Sequence, residues 1–248
     1  MILEVCIDSV ESALAAQEGG ADRVELCADL DHGGTTPSAD MIAAVRRRLS
    51  IAAVVMIRPR PGDFLYTESE FEAMKEDIRR AKKLGVNGVV LGLLTEAGRI
   101  DTERTQILTD LARPLEVTFH RAFDECADIF SGLEELRSLG VNRILTSGGA
   151  RNVDEGEEVL ALLARLSGKS IEVMGGGGIT FQNVERIVRT TGIRQVHALT
   201  ALLADRPDGL PDARMVSSPA RFTDPAKVRR MVTVLSALSL QSKHHIPS

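Results

Sequence analysis

Short apolar runs alternate with amphipathic stretches eight times along the chain, and this predicts a single (β/α)8 barrel. Two recurring signatures support the count. Gly20-Ala21-Asp22-Arg23-Val24 resembles Gly85-Val86-Asn87-Gly88-Val89, Gly140-Val141-Asn142-Arg143-Ile144 and Gly192-Ile193-Arg194-Gln195-Val196, and each precedes an even-numbered strand. Leu3-Glu4-Val5, Leu115-Glu116-Val117 and Ile171-Glu172-Val173 share a second pattern on strands 1, 5 and 7. An odd/even alternation is what a barrel filled in layers from alternate strands would show.

The elements follow in order. Strands are expected near 2–8, 22–27, 52–58, 87–92, 115–120, 142–147, 170–174 and 194–198, where β-formers cluster. Helices are expected near 9–19, 38–48, 68–84, 101–112, 128–139, 153–166, 180–190 and 224–238, where the apolar period lengthens. In the repeated motif the glycine closes a helix in the left-handed conformation that it adopts cheaply, and a strand follows at once. Ser38 reads as a helix cap. The barrel domain is expected over 1–240. An irregular loop rich in Pro, Asp, Ser and Arg is expected over 203–223, and a disordered tail over 241–248. His244 and His245 lie in that tail, where disorder is a better reading than metal binding.

Composition excludes some classes of partner. A net charge of −5 and a pI near 5.6 speak against nucleic acid, which calls for a basic face. No apolar run is long enough to span a bilayer, so no membrane partner is expected. The start, Met1-Ile2-Leu3-Glu4-Val5-Cys6-Ile7-Asp8, has no basic region and reads as a strand rather than a signal peptide. Three cysteines in 248 residues make no disulfide framework, which makes a cytoplasmic location the default.

Successive side chains of a strand point to opposite faces, so parity assigns the interior. Val5, Val24, Leu26, Val89, Leu91, Val117, Phe119, Ile144 and Val173 should meet the helices. That turns Glu4, Arg23, Glu116, Arg143, Glu172 and Gln195 inward near the barrel floor. Buried carboxylates must be paired or neutralised, and a structural ion-pair layer is preferred there over catalysis. Cys6, Glu25, Thr118, Met174 and His197 come next, then Asp8, Cys27, Arg58, His120 and Ser147 at the mouth.

The mouth is where catalytic groups of such barrels gather. Val117-Thr118-Phe119-His120-Arg121-Ala122-Phe123-Asp124 begins as a strand and breaks into imidazole, guanidinium and carboxylate. The plainer reading is a strand end with a solvated Arg and an Asp capping the next helix. Arg58-Pro59-Arg60-Pro61-Gly62-Asp63-Phe64 follows strand 3, and Gly175-Gly176-Gly177-Gly178-Ile179-Thr180 follows strand 7. A glycine loop leading into a helix suits phosphate, or is simply a tight turn.

These residues resemble the CutC family, labelled copper-homeostasis proteins. The resemblance is carried by Glu4-Val5-Cys6, Gly20-Ala21-Asp22-Arg23-Val24-Glu25-Leu26-Cys27, Gly33-Gly34-Thr35-Thr36-Pro37-Ser38 and Ile57-Arg58-Pro59-Arg60 with Gly62-Asp63-Phe64. It continues through Thr118-Phe119-His120-Arg121-Ala122-Phe123-Asp124, Leu145-Thr146-Ser147-Gly148 and Gly176-Gly177-Gly178-Ile179, and reaches about residue 200. It implies a TIM-type barrel, cytoplasmic and self-associating into a homo-oligomer, with Cu(I) bound at the cysteines matching Cys6 and Cys27. Leu199 departs from the Ser usual two residues after the matching His197, and Pro61 stands where Gly is usual.

Two functional readings follow. In the first, Cys6 and Cys27 bind copper as soft thiolate ligands, with Met56, Met174, His120 or His197 completing the site. Both cysteines also suit a plain buried position. In the second, the protein is an enzyme on a small anionic metabolite, phosphorylated or not. Arg58, Arg60, Arg121, Ser147, Gly176, Gly177 and Gly178 would hold the anion, with His120, Glu25 or Asp8 as acid or base and Asp124 as a further catalytic or orienting group.

Overall fold

A computed structural model describes residues 1–204 and 222–242. The loop expected at 203–223 falls mostly outside these residues, as do the last residues of the tail with His244 and His245.

The strands are β1 (Ile2–Ile7), β2 (Arg23–Leu26), β3 (Ala52–Met56), β4 (Gly88–Leu91), β5 (Glu116–Phe119), β6 (Arg143–Thr146), β7 (Glu172–Gly175) and β8 (Gln195–Ala198). They pair in parallel in chain order, and β8 returns to β1 to close the barrel. The helices are α1 (Val10–Glu18), α2 (Ala39–Arg46), α3 (Glu68–Lys83), α4 (Thr102–Ala112), α5 (Ile129–Ser138), α6 (Glu157–Ser167), α7 (Val184–Thr191) and α8 (Pro225–Ser242).

Local chemistry accounts for the ends. Ser38 accepts a hydrogen bond from the Met41 N–H and starts α2, while Thr67 and Glu70 form a reciprocal capping box on α3. The repeat glycines Gly20, Gly85, Gly140 and Gly192 all have φ between 72° and 89°. A side chain there would meet its own backbone, which is why the motif recurs.

Parity holds. The apolar strand residues assigned to the helices lie in one continuous core between barrel and helices. Each such Val or Leu contributes about 1.5–3 kcal/mol on full burial. The interior holds a polar network beside a second apolar cluster of Cys6, Cys27, Val54, Met56 and Val90, and register explains how its charges meet. Glu4 lies beside Arg23 on β2 and beside His197 on β8, and Thr118 lies beside Arg143.

Two expectations need correction. Glu116 and Glu172 begin their strands at the floor and are exposed, so Glu4 is the carboxylate of that layer that is fully enclosed. The helix expected from 180 starts at Val184. Asn183 accepts from the Thr180 N–H and donates to the Gly178 carbonyl, so the segment after the glycines forms a turn of its own.

Candidate functional site

The floor of the barrel is a closed polar network. Arg23 binds Glu4 through Nε, and its Nη2 reaches Gln195 Oε1 at 3.0 Å and Met174 Sδ at 3.4 Å. Arg143 donates to Gln195, Thr118 and Glu116 at 2.7–3.0 Å. Met174 therefore belongs to the floor rather than to a metal site. Burial works against the charge of Glu4, but Arg23 and His197 outweigh it and hold the carboxyl down to about 2.

One turn higher the network meets sulfur. His197 Nδ1 lies 2.8 Å from Glu4 Oε1, which orients the ring so that Nε2 lies 3.8 Å from Glu25 Oε2. The thiol of Cys27 is 3.6 Å from the same Glu25 oxygen and 3.9 Å from the sulfur of Cys6. Cys6, Glu25 and Cys27 are all buried, and their ligand atoms lie within 4.8 Å of one another.

The charges in this cluster are interdependent. Cys27 stabilises a thiolate on Cys6, burial opposes it, and His197 adds to the stabilisation, leaving Cys6 at about 6. Cys27 is in turn pushed well up by Cys6 and by burial. Burial, joined by the Cys6 thiolate, drives Glu25 well above the usual carboxylate range. Burial disfavours the imidazolium of His197, yet Glu25, Cys6 and Glu4 together raise it.

These groups open into a cavity of about 170 Å³ at the mouth, which Arg58, His120 and Arg121 also line. Met56, Phe64, Leu145 and Leu199 provide its apolar walls. His120 is 4% exposed; burial and then the nearby Arg58 depress it to about 3, so the ring is neutral. Its Nδ1 accepts from the Ala122 N–H at 3.1 Å. Asp124, expected either to pair with Arg121 or to orient His120, pairs with Arg121.

Asp124 also holds the loop after β6. It accepts from the Thr146 hydroxyl, the Ser147 N–H and O–H, the Gly149 N–H and Arg121 Nε. Ser147 hydrogen-bonds Asp124, Arg121 and the Ala150 carbonyl. Arg60 turns away to Glu70 at 2.6 Å and Asp63 at 2.8 Å. Gly176, Gly177 and Gly178 are not among the residues that line the cavity. A Cβ on Gly176 would come within 2.5 Å of Leu145, and one on Gly177 within 2.9 Å of the Arg121 guanidinium. Cys126 follows the short helical turn after β5, away from the other thiols, and burial pushes it up to about 12.

Sequence reading missed Gly92. A Cβ there would lie 2.5 Å from the His120 ring, so only glycine lets the imidazole sit beside β4. The signal was a glycine directly after a strand at the C-terminal end of the barrel strands.

The CutC family model matches residues 1–201. The chain belongs to the CutC family. A human copper homeostasis protein cutC homolog is 50% identical, over 79% of this chain and 72% of the relative. A CutC family protein of Vibrio vulnificus strain CMCP6 is 42% identical, over 96% of this chain and 98% of its own length. The crystal structure of the putative copper homeostasis protein CutC from Streptococcus agalactiae superposes with a TM-score of 0.76. It is 36% identical, covering 79% of this chain and 97% of that one. The expected barrel is thus also the architecture of a solved CutC structure.

Proposed function

We propose that this CutC protein binds Cu(I) as cargo through Cys6 and Cys27, in a reducing, cytoplasmic setting. The observation that carries this reading is the pair of buried sulfurs 3.9 Å apart. Metal–sulfur bonds of about 2.3 Å let one ion reach both. The donor set suits the ion: Cu(I) prefers thiolates and accepts imidazole. The thiolate is the ligand form, and Cys6 is already held toward it at neutral pH. Glu25 and His197 place a carboxyl and an imidazole beside the two thiols. Met56, on the same cavity wall, offers a thioether. The copper-homeostasis names of the relatives agree with this reading.

An anaerobic competition against a Cu(I) chelator tests it. Cys6→Ser combined with Cys27→Ser should abolish Cu(I) retention, and Cys126→Ser should leave it intact. Equal loss from all three cysteines would mean indiscriminate thiol binding and would overturn the assignment. Self-association, implied by the family resemblance, is proposed with it, and equilibrium sedimentation of the full chain reads it directly.

A further inference from the structure

The cavity holds a second set of groups that copper binding does not use. Arg58 is 6% exposed, and its guanidinium donates to backbone carbonyls: Nη1 to His32 and Gly34, Nη2 to Gly62. Among the described residues it forms no ion pair and its Nε–H has no acceptor within hydrogen-bond distance, although the Asp63 carboxylate and the Tyr66 hydroxyl both feel its charge. A buried cation without a counter-ion is costly, and carbonyl dipoles offset only part of that cost.

His120 stands close to it. Phe64 touches both, its ring 4.9 Å from the imidazole centroid and 5.0 Å from Arg58 Cζ. Because His120 Nδ1 accepts from Ala122, the neutral ring carries its proton on Nε2. That N–H is buried and has no acceptor among the described residues. One cavity therefore contains a guanidinium with no ion pair and two donors with no acceptor among the described residues, beside apolar walls at Met56, Leu145 and Leu199. Native proteins rarely leave such groups unmet.

We infer that the cavity is a binding site for a small aliphatic carboxylate, its oxygens accepting from His120 Nε2–H and Arg58 Nε–H and its body resting on Met56, Leu145 and Leu199. A monoanion matches Arg58, a buried cation with no ion pair among the described residues. Inorganic phosphate is a poorer match, since its four oxygens ask for more donors than this pocket leaves free. The inference does not rest on copper binding, and its failure would leave the Cys6–Cys27 reading standing.

The test uses the full chain freed of metal by a chelator, titrated with butyrate, butyramide and inorganic phosphate by calorimetry, with the histidine side-chain N–H signals followed by NMR. Butyrate should bind saturably and shift the His120 Nε2–H resonance. Butyramide, which has the shape without the charge, and phosphate should each bind at least tenfold more weakly. His120→Phe and Arg58→Gln should each weaken butyrate at least tenfold. Should either variant fail to fold, the resonance shift in the unaltered protein decides. No saturable butyrate binding, an unmoved His120 resonance, unchanged affinity in both variants, or phosphate binding as tightly as butyrate would each overturn the proposal.

Discussion

The floor and the mouth of this barrel are both polar and both buried, yet they differ in how fully their polar atoms are satisfied. On the floor, Arg23, Arg143, Gln195 and Thr118 exchange hydrogen bonds with one another and with Glu4 and Glu116. At the mouth, Glu25 Oε1, Arg58 Nε and His120 Nε2 have no partner among the described residues. A satisfied buried network holds strands in register; unsatisfied atoms are what a ligand can meet. Charge inside a barrel is therefore not in itself a sign of chemistry, and the unmet atoms are the better guide.

Thiol reactivity should separate the mouth from the rest most sharply. With Cys6 near 6 and Cys126 near 12, the thiolate fractions at pH 7 differ by orders of magnitude. Brief treatment of metal-free protein with iodoacetamide, read by mass spectrometry, should label Cys6 far ahead of Cys126, with half-maximal rate near pH 6. His197→Ala should move that midpoint upward. A Cys6 profile centred near 9 would mean that the mouth does not activate its thiol.

On the floor the expected effect is on stability. Glu4→Ala leaves the Arg23 guanidinium buried without its carboxylate, a loss of about 3–5 kcal/mol in urea unfolding. The pH dependence has a definite sign. The folded pKa of Glu4 lies near 2, below the ordinary 4.5, so its contribution is full above pH 4.5 and disappears as pH falls through 2. At most about 3 kcal/mol is involved. Glu4→Gln should flatten the unfolding midpoint across that window, and an unchanged slope would remove Glu4 from the account.

Smaller effects sharpen the contrast. Gly92→Ala should cost about 1–3 kcal/mol by overpacking against His120, and should also displace the imidazole, visible as a changed His120 N–H resonance. Arg60→Ala should cost no more than about 1 kcal/mol, because its ion pairs with Glu70 and Asp63 are partly solvated. It should leave the cavity unaltered. A loss of ligand binding in Arg60→Ala would place the arginine loop in the site after all.

Much of this was legible in the sequence because it depends on local rules. The period of two put Glu4, Cys6, Arg23, Glu25 and His197 inside, and the repeat glycines marked helix ends, since backbone conformation and pleat are set by neighbours in the chain. The convergence of residues 4, 6, 25, 27 and 197 follows from the strand order and closure that the pattern predicts. What a side chain does once there is decided by which partners arrive first, and only the tertiary structure shows that. Asp124 was available to His120 by spacing but is held by Thr146, Ser147, Gly149 and Arg121. Arg60 and the three glycines flank the mouth in sequence and yet stand outside its cavity. Hydrogen-bond competition among groups far apart in the chain selects the free atoms, and no periodicity along the chain records its outcome.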